Sequence, residues 1–508
     1  MAIKCTLYIF ILTSFLSAFL VRPVWAHGFG ERYELPVPLE LYLIGSGLAI
    51  IFSFAIMGLF LRRDISISSY PIYNVLSLPG FGIITNKVCM VAIRLISLSV
   101  FALVIISGLF GTQEPDANMA PTMVWIIVWV GLAYVSALFG NIWSLINPWK
   151  IAYEYFEAIC VRTKLDQYLL KNLEYPDIGI WPAVLLFVGF SWVELIYPYA
   201  STPMNLAILL LIYSVITWTG MLVFGKDIWI RKGEIFSIVF GVFARFSPTE
   251  VGVRDSKSIC THEEKQANDG SLNCLECFSN AGSKQRFLNI RPPSIGLIKD
   301  DAIHTSEVFL IMVILSNVTF DGFMATGTWY DITENAYGLI PNMTILTTLG
   351  LICCILVFTL VYFTFCRAIS LASGASFSDI SIAKSFVYSL IPIAIAYHLA
   401  HFLSFLLIQG QLVIPLFSDP FGYGWNIFGT ADYIVNIAIV DAKFAWIVSI
   451  ASIVVGHIIA VYLAHVIAVR KFATYSTALR SQLPMLILMV SYTVISLWIL
   501  AQPIVELD

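Results

Sequence analysis

The chain has 508 residues, of which 59% are hydrophobic and 12% charged, with 28 Lys and Arg against 32 Asp and Glu for a net charge of −4. Soluble globular domains carry about twice that share of charged residues, so no set of water-soluble domains hides this much apolar surface and a bilayer must cover it. The balance of charge also lacks the basic excess of a nucleic-acid binder. The fold class expected is all-α, a polytopic membrane helix bundle.

In chain order, Lys4 precedes an apolar run from Cys5 to Leu20, and Val24-Trp25-Ala26 has the pattern of a cleavage site. This layout predicts a signal peptide over 1–26, removed to leave His27 as the mature N-terminus. A window of about 19 residues then finds ten spans, near 39–61, 89–111, 122–145, 178–198, 204–224, 305–326, 343–366, 385–408, 444–468 and 483–503. The division expected is therefore 27–245 with spans one to five, a polar cytoplasmic loop over 246–304, and 305–508 with spans six to ten. Glu234–Phe246 is apolar but too short to span, which suggests an amphipathic helix on the inner surface.

The charges give the orientation. Of the 28 Lys and Arg, 24 fall in alternate loops or at their helix ends, including Arg62-Arg63, Arg231-Lys232 and Arg470-Lys471. The other loops carry acids such as Glu114, Asp116, Asp331, Glu334, Asp419 and Asp432. By the positive-inside rule the basic loops are cytoplasmic, which predicts an inner-membrane protein with both mature termini periplasmic. Apart from Cys5, every cysteine lies in a span or on the cytoplasmic side, so no disulfide is expected.

Four of the seven histidines fall inside spans: His398 and His401 on span eight, His457 and His465 on span nine. Ionisable groups at membrane depth are costly and mark function by default. His398 and His401 are three apart and share a helix face. At 1.5 Å per residue, Asp321 lies roughly 8 Å, His401 roughly 12 Å, His398 roughly 16 Å and His457 roughly 20 Å from the outer boundary, with His465 near the inner one. A stepped set of three imidazoles and a carboxylate suits a divalent ion such as zinc, iron or manganese. Two histidines from neighbouring helices could instead ligate a haem, and His27 at a free N-terminus could bind copper through its α-amine and ring. Hydrogen bonding between helices is the plain structural alternative for all of these.

A second constellation sits in the cytoplasmic loop, where Cys260-Thr-His262 and Cys274-Leu-Glu-Cys277 offer four ligands for a structural zinc. Reduced thiols in an open loop would read the same way. Glu194, near the outer end of span four, either joins the polar interior or reaches the interface. In FGNIWSLINPW, Asn141, Asn147 and Pro148 mark a helix exit, with Trp143 and Trp149 as interfacial anchors. The outer loop around SDPFGYGWNIFGT (418–430) could close over a site or lie in an aromatic belt. No phosphate-binding loop, serine-hydrolase elbow, HExxH or dinucleotide fingerprint occurs where it could work.

Four stretches carry a resemblance: AHGFGERYELPVPLELYLIG (26–45), FSPTEVGVRD (246–255), VTFDGF (318–323) and AYHLAHFLSFLLIQGQLVIPLFSDPFGYGWNIFGT (396–430). They resemble the bacterial fenitrothion hydrolases, membrane-bound organophosphorus hydrolases, over the whole chain. The resemblance brings no established catalytic residue with it. It implies hydrolysis of a phosphorothioate triester that frees a nitrophenol from a hydrophobic substrate. Such a triester is reachable from the bilayer, and a metal held by Asp321, His398, His401 and His457 could polarise its phosphoryl group and activate water. Asp419 or Asp432 on the outer loop is then the candidate base. The competing class is a haem- or copper-binding membrane redox or transport protein using the same histidines. Expected partners are the lipid bilayer, a hydrophobic small molecule and a second membrane subunit.

Overall fold

Apolar runs of this length can cross a bilayer only as helices, because each backbone N–H and C=O must be bonded within its own segment. The computed structural model describes residues 38–61, 71–78, 86–165, 172–253, 278, 281–282, 285–298, 303–374 and 377–502. The signal segment 1–26, His27 and the whole set Cys260, His262, Cys274 and Cys277 lie outside the described residues. In order, the helices are α1 (Leu39–Phe60), α2 (Lys87–Phe110), α3 (Met119–Phe139), α4 (Pro148–Arg162), α5 (Trp181–Leu195), α6 (Pro203–Phe224), α7 (Lys226–Lys232), α8 (Ile235–Ala244), α9 (Thr305–Met324), α10 (Gly327–Tyr337), α11 (Met343–Ser373), α12 (Asp379–Phe386), α13 (Ile391–Gln409), α14 (Ala442–Lys471) and α15 (Tyr475–Leu500). The architecture is an all-α multi-pass membrane bundle.

Local chemistry sets the helix ends. Asn86, Asn118, Asn147, Thr326, Asn342, Asp441 and Thr474 each accept from a backbone N–H of the turn that follows, satisfying donors that a helix start leaves free. His304 does the same for α9 and forms a capping box with Glu307. Gly374 ends α11 in the left-handed region at φ 62°, where glycine has no Cβ to clash.

Nine helices among the described residues are long and apolar enough to span a bilayer. The predicted fourth span is shorter than expected: α5 has 15 residues, about 22 Å at 1.5 Å per residue against a hydrocarbon core of about 30 Å. It nevertheless packs along α9. Next to its start, Ile180 N–H donates to Ser306 at the beginning of α9 (2.8 Å), and near its end Trp192 donates to Thr348 at the beginning of α11 (3.0 Å). One end of the bundle is basic. There Arg94 and Lys226 pair with Glu154, Lys226 also pairs with Glu157 (3.3 Å), and Lys150 lies 3.9 Å from Glu154.

At the centre stands α9, with 14 of its 20 residues buried. Around it pack α5, α11, α13 and α15. At the periphery, α2 and α11 expose Leu95, Ile96, Leu356 and Leu360, the surface a bilayer covers. A small antiparallel sheet, ordered β1-β3-β2, caps the basic end: β1 is Tyr73–Asn74, β2 Thr249–Val253 and β3 Arg286–Ile290. Ile290 stands opposite both Tyr73 and Thr249. Beside it Arg291 and Glu250 form a buried ion pair at 3.3 Å.

Two expectations are corrected at this end. The segment read as a surface helix is α8, and Ile235, Phe236, Val239, Phe240, Val242 and Phe243 on it are all buried. The reason is Glu234. Its fully buried carboxylate receives Tyr213 OH (2.6 Å), Asn147 Nδ2 (3.0 Å), Trp143 Nε1 (3.2 Å) and the backbone N–H groups of Phe236 and Ser237. Five donors and a helix N-terminus compensate the buried charge. Trp143 and Trp149 are likewise core residues, each 3% exposed, and not interfacial anchors. Trp149 donates to Ser214 at 2.8 Å.

Removing this carboxylate would leave several buried donors unpaired, at about 1–3 kcal/mol each. Glu234→Ala should therefore lower the thermal unfolding midpoint of the solubilised protein by more than Trp143→Phe or Tyr213→Phe does. A smaller shift for Glu234→Ala than for either would contradict the hub role.

Candidate functional site

Asp321 lies near the end of α9 and His401 in the second half of α13. The structure joins them: His401 Nε2 and Asp321 Oδ2 are 2.8 Å apart, with side chains 21% and 25% exposed. An ionised carboxylate only accepts, so the shared proton belongs to Nε2 of the imidazole. With His401 neutral, its Nδ1 then carries the free lone pair. The pair is thus both oriented and accessible.

A second carboxylate belongs to the same layer. Glu194, on α5, accepts from Trp129 Nε1 and from Asn317 Nδ2 (3.1 Å). Asn317 and Asp321 are four apart on α9 and share a face. Gly322 allows the close packing there: a Cβ at this position would lie 2.9 Å from Ile499, 3.2 Å from Tyr397 OH and 3.7 Å from His401 Cε1. Tyr397 stacks on Tyr492 with 6.3 Å between ring centroids, and Tyr492 OH bonds Thr319 at 2.7 Å.

The other two histidines point elsewhere. His398 is packed among Phe402 (4.7 Å), Tyr134 (5.3 Å), Trp129 (5.7 Å) and Phe243 (6.3 Å), and its Nε2 has no hydrogen-bond partner. His457 on α14 donates from Nδ1 to the Ile453 carbonyl at 2.8 Å, lies beside Tyr492, and also has an unpartnered Nε2. Residues 122–131 of α3 form a π-helix, a rare geometry that recurs at functional sites. It brings Trp129 and Tyr134, five apart, onto one imidazole. In a straight α-helix their directions would differ by roughly 140°.

These placements bear on the expected ligands. The geometry pairs His401 with Asp321 but does not gather His398 and His457 to them. Among the described residues no group of three or more His, Cys, Asp or Glu is arranged to hold a metal ion. Next to His457, α13 and α14 pack closely: a Cβ on Gly456 would meet the Ala396 side chain and stand 2.8 Å from the Pro392 carbonyl of α13. His398, two residues from Ala396, faces away from that contact. His465 is separate, bonded to Gln482 (2.9 Å) and the Leu61 carbonyl (2.8 Å).

In the loop 418–430, Asp419 accepts from the backbone N–H groups of Tyr423 (3.0 Å), Gly424 (2.6 Å) and Trp425 (3.0 Å). Both of its oxygens hold a turn. Asp432 is exposed. Sequence reasoning missed Trp129, Asn317 and Tyr397. Asn317 had a usable signal in its four-residue spacing from Asp321, whereas Trp129 and Tyr397 were hidden among other aromatics of apolar spans. No protein-family model, curated protein or solved structure matches the chain.

If Asp419 acts as a loop staple, Asp419→Ala should speed amide hydrogen exchange at Tyr423, Gly424 and Trp425. Exchange at those three amides equal to that of the unsubstituted protein would refute this role.

Proposed function

We propose that the protein is a membrane-embedded hydrolase of hydrophobic phosphorothioate triesters, with His401 as the general base and Asp321 as the group that orients it. The observation that carries the reading is the 2.8 Å His401–Asp321 pair. Its two members come from VTFDGF and AYHLAHF, two of the stretches that resemble fenitrothion hydrolases, which are far apart in sequence and adjacent in space.

In this reaction a water oxygen attacks phosphorus, its proton passes to Nδ1 of His401, and the bond from phosphorus to the aryl oxygen breaks. The products are a dialkyl thiophosphate and a nitrophenol. Asp321 holds the imidazole in the tautomer whose free lone pair is on Nδ1 and stabilises the imidazolium once the proton arrives. Glu194, held by Trp129 and Asn317, packs in the same layer. An apolar triester dissolves in the bilayer, so substrate reaches the bundle laterally. The basic end is proposed to face the cytoplasm of a cell with the protein in its inner membrane, on the strength of the Lys and Arg distribution.

Purified protein in lipid nanodiscs, assayed for nitrophenolate release, tests the reading. His401→Ala and Asp321→Asn should each lower the rate by roughly 10²–10⁴-fold, the range of general-base contributions, while His457→Ala and His465→Ala retain it. Metal per protein, measured on the same variants, distinguishes a bare dyad from one that also holds an ion. Full activity in His401→Ala would end the proposal. The Cys260, His262, Cys274 and Cys277 zinc loop is proposed as structural: Cys274→Ser should reduce zinc per protein and leave the specific activity of the folded fraction unchanged. Loss of activity in a stably folded, zinc-free Cys274→Ser protein would show the loop to be more than structural.

A further inference from the structure

The segment 410–441 joins α13 to α14 at the end of the bundle opposite the basic one. It is held in a defined shape. Gln411 binds Asn436 through two backbone contacts (3.1 and 3.0 Å) and accepts from Tyr433 OH (2.8 Å). Ser418 bonds Thr430 at 2.7 Å, and Asp419 staples the intervening turn. The loop is also clasped to the turn after α2: Thr112 N–H donates to the Phe421 carbonyl (2.8 Å), Met119 N–H to that of Pro420 (3.3 Å), and Tyr423 OH to that of Phe110. Its side chains are therefore displayed from a fixed frame.

What the frame displays is apolar. Phe428 is 68%, Ile434 86% and Ile437 73% exposed, and Trp425, Ile427 and Ile439 are exposed as well. A soluble surface seldom shows so many large apolar side chains together. Residues 410–442 contain no Lys or Arg and three Asp. Asp419 is spent on its turn and exposed Asp441 caps α14 through Phe444 N–H (2.6 Å), so Asp432 is the exposed carboxylate that holds neither a turn nor a cap. The nearest basic residue in sequence is Lys443, exposed at the start of α14.

Continuity identifies the occupant. The loop leaves and rejoins the bundle where Phe417 and Phe444 are exposed and where Trp446 meets Tyr42 edge-on at 5.7 Å, the aromatic signature of a membrane–water interface. Its apolar side chains extend the surface that the spans already present to lipid. We propose that the loop 421–439 lies in the interfacial layer of the bilayer, with Phe428, Ile434 and Ile437 inserted among the acyl chains and Asp432 turned to water. This surface assignment does not depend on the hydrolase reading.

The test places a single added cysteine at Phe428, Ile434, Ile437 or Asp432 in the full-length chain, labels it with an environment-sensitive fluorophore, and reconstitutes the protein in phosphatidylcholine nanodiscs. The unsubstituted chain, labelled in parallel, gives the background from the native cysteines. Labels at 428, 434 and 437 should be quenched several-fold more by lipids with a nitroxide near the headgroup than by aqueous iodide, and the label at 432 the reverse. Iodide quenching of all four alike would overturn the proposal. So would protection from both quenchers at 428, 434 and 437, which would mean that a second copy or another protein covers the loop.

Discussion

A buried carboxylate at the basic end holds three pieces of this protein together. Glu234 caps α8, takes the indole of Trp143 and the amide of Asn147 from the junction of α3 and α4, and receives the hydroxyl of Tyr213 from α6. In a bundle surrounded by hydrocarbon there is no water to replace those donors. The arrangement must therefore be complete, and its completeness is why a ten-residue apolar helix can sit inside the bundle.

Glu194 presents the opposite case. It is half-buried in the layer of Asp321 with two neutral donors, Trp129 and Asn317, against the five that surround Glu234. Where every donor is supplied, a carboxylate is architecture. Glu194 and Asp321 instead share a layer with a partly exposed imidazole and have fewer donors. The same contrast separates His465, bonded at both ring nitrogens, from His401, which keeps one free.

Most of the architecture was legible in the sequence because hydrophobic run length and helix length are set by the same bilayer thickness. The spans at 39–61, 204–224, 343–366 and 444–468 correspond to α1, α6, α11 and α14. What failed was the assignment of short apolar pieces. α8 reads as a surface helix until its cap, Glu234, is seen to be satisfied from two other segments. Trp143 and Trp149 look like interfacial anchors until Glu234 and Ser214 appear as their partners. For the site, depth arithmetic correctly grouped Asp321 with His401. It could not tell which way each ring faced, so His398 and His457 were drawn into a set that the helix rotations separate.

The π-helical stretch in α3 shifts the reading frame of a helix surface. Each turn of an i→i+5 ladder takes up more residues than a turn of α-helix, and over the ten residues 122–131 the difference accumulates to roughly half a turn. The two halves of α3 are thus out of phase, one presenting Trp129 to Glu194 and the other presenting Tyr134 to the His398 carbonyl. A chain one residue shorter in this stretch could still span the membrane, yet it would wind back toward a regular ladder and turn these two aromatics apart. The length of this segment, as much as its composition, determines what surrounds the histidine.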